Sequence, residues 1–465
     1  MLRPGKGLHV LDEMMQKVLM VAYNFPPVGG SGVQRTVKFA KYLPGNGWVP
    51  IVLTGDGKCG GYEAERDEFL AKEFPPEGRV YRAAAIDPLR RMRRFWETNP
   101  PGEEAALHSL PGAKGMRRTL LQAARRLWRT CVYIPDDRIG WLLPALLQAG
   151  RILRDHEISV IYSTSDPFTD HLVGYLLARV TGKPWVADFR DPWTWDAYYP
   201  HRNGLRRHLD RWMERQFLLK AAIITVTSDA TAAQFAEKCP EVDAEKFVTI
   251  TNGFDGEDFT SLTPAPPLKD DGVLTIVYSG RFASEAHFSP WFLGALWQLV
   301  QANTALREHI AVWFVGLFGD QASALVEELG LTQVVRSTGY LAHRDALGYL
   351  FQADVFLLTL APYAGSEVQV PGKLFEYIAA RKPILALVPE GAAAELVRET
   401  GSGFVVPPDD VVAIEKALYR LWKQHEQGRL RLSPSESLGR FTRKNLTARL
   451  AEVLEEVRHS HDIRI

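Results

Sequence analysis

The sequence predicts an α/β protein built from two doubly wound domains that face each other across a cleft. Three observations carry this expectation. A near-continuous apolar run at 17–23 (KVLMVAY) ends in a proline–glycine turn and feeds a helical pattern, which is how a buried parallel sheet opens. The same strand–helix alternation stops once, at a proline-rich polar stretch over 260–272, and then restarts from its beginning. The chain has 465 residues, past the size at which a single hydrophobic core stops growing.

The elements follow in order. Strand 17–23 leads through a glycine loop at 28–32 to a helix at 33–42 and a strand at 50–54. After an irregular stretch come strand 159–163, helix 168–180, strand 184–188, a charged helix at 206–220, strand 223–226, a helix from Ser228 and strand 247–251. These define a first domain over 17–262. Beyond the linker, short apolar strands at 273–279, 311–315, 334–337, 355–359, 383–387 and 403–406 alternate with helical patterns, giving a second domain over 272–440. The tail, 441–465, holds an amphipathic helix with Leu446, Leu450, Val453, Leu454 and Val457 on one face.

Composition narrows the class. With 46% hydrophobic and 24% charged residues the chain reads as globular, and 55 basic against 55 acidic side chains argue against a protein that coats nucleic acid. Cys59, Cys131 and Cys239 have neither disulfide nor zinc spacing, which fits a reducing, cytoplasmic setting. No apolar run reaches the roughly 20 residues a membrane span needs, so any membrane contact is expected to be peripheral. The start lacks a secretory signal, and Met14 or Met15 is an alternative to Met1 as the initiating residue. A basic insertion at about 82–140 interleaves arginines with Phe95, Trp96, Leu127 and Trp128. It reads either as a surface for an anionic membrane or as a solvated insertion with its apolar side on the domain.

The densest chemistry lies in PGKLFEY, 371–377. Pro371 and Gly372 open a helix whose first amides lack helical partners, and with the helix dipole these form a seat for phosphate. Glu376 stands at the same end. It either accepts hydrogen bonds from ribose hydroxyls or merely stabilises the helix start.

PGKLFEYIAARKPILA resembles the donor-site segment of the family 4 glycosyltransferases, also described as glycosyl transferases group 1, which share the GT-B fold. The resemblance extends to GGSGVQRTVKFAKYL near the start, TNGFD at 251–255, YSGRF at 278–282 and GSGFVVPPDD at 401–410. WVADFRDPW at 185–193 is similar to a subgroup that makes bacterial surface polysaccharide. The matches keep their order along nearly the whole chain from Lys17.

The resemblance implies two Rossmann-like domains, with the C-terminal helix returning to the first. It implies a retaining, hexosyltransferase-like enzyme that moves a sugar from a nucleotide-diphosphate donor to a glycan or lipid-linked hydroxyl. Such an enzyme uses neither metal nor bound cofactor and works in the cytoplasm, also peripherally at the inner face of the plasma membrane. By position, Gly29, Gly30 and Gly32 face the donor phosphates, where a side chain would keep the backbone off the ligand. Arg281 neutralises the leaving diphosphate and Glu376 grips the ribose. Gly372, Lys373 and Leu374 line the phosphate seat. With no convincing carboxylate nucleophile in the sequence, same-face attack is expected, the leaving diphosphate helping to deprotonate the acceptor.

This chain departs from the family pattern in three places. The lysine expected after Arg281 is missing, leaving His287 or another cation to serve. Glu367 precedes Glu376 by one residue more than the usual glutamate pair. Arg190 or Asp191 stands where a sugar-contacting histidine is common, while His171 at a helix start is expected either to face the cleft or to be structural. Asp136-Asp137 and Asp409-Asp410 sit in loops, away from the strand ends a metal pair favours. An epimerase or hydrolase of the same architecture, or an inactive nucleotide-sugar-binding protein, are the rival readings.

Overall fold

The computed structural model describes residues 15–56, 66–86, 133–194, 204–260, 262, 265–268, 272–283, 287–430 and 437–463. Residues 1–14, with Met1 and Met14, and 87–132, the bulk of the basic insertion, lie outside the described residues.

The first domain runs β1 (Gln16–Val21), α1 (Ser31–Tyr42), β2 (Trp48–Gly55), α2 (Glu68–Lys72), β3 (Arg79–Ala83), α3 (Leu142–Asp155), β4 (Val160–Thr164), α4 (Thr169–Thr181), β5 (Trp185–Phe189), α5 (Gly204–Lys220), β6 (Ile223–Val226), α6 (Asp229–Lys238) and β7 (Phe247–Thr249). Its parallel sheet has the order β3-β2-β1-β4-β5-β6-β7. Helices cover both faces, which is why β1 buries successive residues: Val18 and Met20 pack with Val37 and Tyr162, Leu19 and Val21 with Ile161 and Phe217.

Three elements, α2, β3 and α3, form where the sequence reads as irregular. β3 is an edge strand whose RVYRA buries only Ala83, so it lacks an apolar run and reads as loop. The stretch after the insertion forms α3, with Pro144 tolerated in the first turn.

The second domain runs β8 (Leu274–Ser279), α7 (Pro290–Ala302), β9 (Ile310–Val315), α8 (Asp320–Glu328), β10 (Val335–Gly339), α9 (His343–Leu350), β11 (Val355–Thr359), α10 (Gly372–Ala380), β12 (Ile384–Leu387), α11 (Ala392–Glu399), β13 (Gly403–Val406) and α12 (Val411–Glu426). Its parallel sheet has the order β10-β9-β8-β11-β12-β13.

The chain crosses between the domains twice. The 251–260 segment leads out, and α13 (Arg443–Asp462) leads back, burying Leu446, Leu450 and Leu454 with Val33 and Val37 of α1. The crossings touch: the Phe254 amide donates to the Phe441 carbonyl at 3.0 Å and the Arg443 amide to the Phe254 carbonyl at 2.8 Å. Gly253 makes this possible, because a Cβ there would sit 2.2 Å from the Phe441 oxygen.

Candidate active site

In an open parallel sheet, loops that leave neighbouring strands in opposite directions open a crevice at the strands' carboxyl ends. Here that happens between β1 and β4 in the first domain and between β8 and β11 in the second. Those switch points carry the motifs: the glycine loop follows β1, Gly280 and Arg281 follow β8, and the loop into α10 follows β11.

The start of α10 is tied to the end of β8 by side chains. Tyr377, stacked on Phe356 with centroids 4.3 Å apart, accepts the Ser279 amide at 2.7 Å. Lys373 reaches back over the Tyr278 ring, 3.9 Å from its centroid, and donates to the Tyr278 hydroxyl at 2.5 Å. That hydroxyl donates in turn to the Arg281 carbonyl at 3.0 Å. Gly280, at φ 110°, lets the loop turn beside the lysine, and a Cβ there would lie 3.4 Å from Lys373 Nζ.

The helix start itself is open. No side chain caps it, and a Cβ on Gly372 would meet nothing within 4 Å. Leu374 is fully buried beneath it, and Arg281 is exposed on the adjoining loop.

Electrostatics separate the two candidates for the missing lysine. Burial, reinforced by the nearby Lys373 charge, pushes the His287 imidazole down to about 3, against a 3.2 Å contact between its Nδ1 and the Thr359 carbonyl. His287 is therefore neutral near neutral pH and does not replace the cation. Lys373 stands close by, its ammonium pushed down to about 7 by burial while Glu376 pulls it up.

Glu376 points to the floor of the interdomain gap. Its Oε1 lies 2.8 Å from His343 Nε2 on α9. Burial works against the charged imidazole, but Glu376 and then Asp258 more than offset it, and the His343 pKa is raised. Both residues line a cavity of about 20 Å³, with room for one water, together with Lys38, Asp258 and Arg443. Arg443 Nη1 has no hydrogen-bond partner among the described residues, and burial, helped by Arg35, pushes this guanidinium down to about 9.

Behind the cavity, Lys38 is fully enclosed by Glu73 (2.6 Å), Asp258 (2.6 Å) and Asp255 (2.9 Å). These three carboxylates have ligand atoms within 4.8 Å of one another, and the Lys38 ammonium already stands among them as their cation. The sequence pairs behave as caps: Asp136 accepts from the Thr169 amide and hydroxyl at the start of α4, Asp410 from the Ala413 amide at the start of α12.

On the first-domain side, Gly30 at φ 99° precedes α1, with Gly29 before it and Gly32 in its first turn. Arg190 does not stand in the gap as a free group. It donates to the carbonyls of Gly32 and Ser165 and, at 2.8 Å, of Asp166, binding the glycine loop to the end of β4. Asp191 is exposed at the rim, although the protein around its carboxyl, opposed by Arg190, raises its pKa.

His171 corrects one expectation. It does not face the cleft, having no exposed surface among Phe189, Trp185 and Phe217, and its Nδ1 is 2.8 Å from the Ser163 hydroxyl. Burial pushes the ring down to about 3, so it is a neutral core residue. Glu367 is exposed, and its carboxylate accepts the Gly365 amide at 2.9 Å. Next to it, the Val368 carbonyl accepts from Ser228 of the first domain at 2.8 Å, a direct bond across the gap.

Arg35 and Lys38 belong to the site without a chemical motif to mark them; their sequence signal is two cations three residues apart in the helix pattern of α1. Arg35 forms a buried double hydrogen bond to Asp188, at 2.8 and 3.0 Å, and also donates to the Ile250 and Thr251 carbonyls. Asp188 accepts further from Tyr162, Thr164 and Thr225. This network joins the motif DFRDPW to the first crossing.

Two parallel-sheet domains with the motif loops at their switch points form the GT-B architecture. Residues 30–258 match the family described as Glycosyltransferase Family 4, and residues 274–424 the one described as Glycosyl transferases group 1. The chain belongs to this family and is a glycosyltransferase.

Solved structures repeat the architecture. An α,α-trehalose-phosphate synthase (UDP-forming) from Burkholderia xenovorans, in complex with glucose-6-phosphate, aligns with a TM-score of 0.61 at 11% identity, covering 96% of this chain and 100% of that one. A sucrose-phosphate synthase from Thermosynechococcus elongatus aligns with a TM-score of 0.57 at 14% identity, covering 96% and 97%. At such identities the likeness concerns the fold. By sequence, the chain is 28% identical over 166 residues to a protein of Escherichia coli (strain K12) named as a colanic acid biosynthesis glycosyltransferase, WcaL. That match spans 35% of this chain and 39% of the relative's length.

Proposed function

We propose that this glycosyltransferase moves a sugar from a nucleotide-diphosphate donor to a hydroxyl of a lipid-linked or polysaccharide precursor, with retention and without a metal ion. The observation that carries the reading is the junction of Lys373, Tyr278 and Arg281 at the open start of α10. The donor diphosphate lies on the first amides of α10. Lys373 supplies the positive charge that the family's lysine otherwise gives, and Arg281 adds a fixed charge from the neighbouring loop.

Glu376 takes the ribose hydroxyls, held in place through its other oxygen by His343. The glycine loop, fixed by Arg190, faces the phosphates from the first domain. As the sugar–phosphate bond breaks, charge grows on the diphosphate and is met by amides and cations already in place. The acceptor attacks from the same face, passing its proton towards the departing phosphate. Closure over the gap excludes water and limits donor hydrolysis.

The relative named for colanic acid biosynthesis supports a polysaccharide precursor as acceptor. The same proposal puts the reaction in the cytoplasm, at the inner face of the plasma membrane. Incubation with radiolabelled UDP-, GDP- and ADP-sugars and a lipid-linked acceptor tests the reading. Label transferred into the lipid fraction supports it. Free sugar or an epimer, with no transfer to any acceptor, contradicts it.

A further inference from the structure

We propose that Arg443 is a positioning residue for Glu376 and acts on it through one water held in the cavity at the domain crossing. The case begins with a buried donor. Arg443 is 6% exposed, and its Nη1 has no hydrogen-bond partner among the described residues. A buried N–H without an acceptor is destabilising, and one on a charged group more so. The backbone fixes the residue there: the Arg443 amide donates to the Phe254 carbonyl at 2.8 Å, and the Thr447 hydroxyl to the Arg443 carbonyl at 2.7 Å.

The cavity beside it selects its occupant. At about 20 Å³ it takes one water. Its walls carry Lys38, His343 and Arg443 against Asp255, Asp258 and Glu376, so no excess of either charge calls for an ion. Of these residues, Arg443 is the one with a buried polar atom left without a partner.

Glu376 faces the same cavity with acceptor capacity to spare. A carboxylate offers about four lone-pair sites, and the 2.8 Å bond to His343 occupies one. Burial dominates the Arg443 charge, and among the carboxylates that support it Glu376 stands ahead of Asp258 and Asp255. The two residues come from opposite sides of the gap. Glu376 lies on α10 of the second domain, while Arg443 opens α13, whose Leu446 and Leu450 pack on the first. His343 therefore holds the carboxylate from its own domain, and Arg443 from across the crossing. The idea rests on the reading that Glu376 takes the ribose hydroxyls, and adds a residue to that grip.

The test is calorimetric titration of the full chain with UDP, GDP and ADP and with their 2′-deoxy forms. For the nucleotide that binds, the wild type should prefer the ribose form by on the order of tenfold, and Glu376→Ala should remove that preference. Arg443→Met should lower it about threefold and leave affinity for the 2′-deoxy form within about twofold of wild type. Arg443→Lys, a milder change for the fold, should lower it less. In a Glu376→Ala background, Arg443→Met should have no further effect. Crystals of the wild type should hold an ordered water bonded to Arg443 Nη1 and a Glu376 oxygen.

An unchanged preference in both folded Arg443 variants, with Glu376→Ala losing it, overturns the proposal and leaves the ribose reading standing. Equal weakening of the ribose and 2′-deoxy forms by Arg443→Met also overturns it, being the mark of a merely structural residue. So does a wild-type crystal with no water between the two groups. If the wild type shows no preference, or Glu376→Ala keeps it, the ribose reading itself fails and takes this proposal with it.

Discussion

Lys373 and Arg281 meet through one hydroxyl. The Lys373 amine donates to Tyr278 Oη at 2.5 Å, and that oxygen donates to the Arg281 carbonyl at 3.0 Å. A cation at the start of α10 and the loop after β8, about ninety residues apart in the chain, are thereby fixed at one place. In the proposed reaction Lys373 therefore supplies, from another element of the fold, the charge of the family's missing lysine.

This arrangement predicts a proton uptake. Burial holds Lys373 at about 7, below its ordinary value, and a diphosphate beside it favours the charged form. Above pH 7 the free protein has lost that proton and must regain it on binding. Nucleoside-diphosphate affinity should therefore be flat below pH 7 and fall above it, by up to about tenfold per pH unit. Calorimetry in buffers of different ionisation enthalpy should detect the uptake, and Lys373→Met should abolish both effects.

His343 is expected to position Glu376 rather than to touch substrate. His343→Ala removes the 2.8 Å partner and should weaken nucleotide binding by about 1 kcal/mol, some fivefold, whereas His343→Gln retains a donor and should restore most of it. The pH dependence of stability carries a sign. Because the folded His343 pKa is raised, the pair's contribution is complete below the ordinary histidine value and is lost as pH rises through the raised one. Urea titrations should show the gap between wild type and His343→Ala shrinking as pH rises.

The Arg35–Asp188 pair should be structural. Asp188→Ala leaves a guanidinium that is 1% exposed without its carboxylate, which should cost about 3 kcal/mol or more in the unfolding of the first domain. A loss of under about 1 kcal/mol in denaturant titration contradicts this assignment.

Gly253→Ala tests the domain crossing. With the Phe441 oxygen 2.2 Å from the new methyl, the two crossing strands must separate, at a cost of about 2 kcal/mol. Calorimetric melting should show a lower midpoint for the transition that includes α13.

Much of this was legible in the sequence. The buried strands announced themselves as apolar runs, and PGKLFEY marked the helix start that sits at the second switch point. What was not legible depended on tertiary direction. The sequence places Lys373 in the phosphate seat, but only the fold turns it onto Tyr278 and makes His287 the neutral neighbour. His343 lies 33 residues before Glu376, and nothing local links them. His171 follows Asp170 near a helix start, a polar setting on paper, yet α4 rotates both residues into the core. β3 was hidden because an edge strand with charged residues has no periodic signature.

The central claim is that a nucleoside diphosphate sits on the start of α10 with Lys373, Arg281 and Glu376 around it. Calorimetric titration of UDP, GDP and ADP against wild type, Glu376→Ala and Lys373→Met tests it most directly. Saturable binding of one nucleotide to the wild type, weakened at least about tenfold in each variant, is the predicted result. Undiminished binding in both folded variants would contradict it.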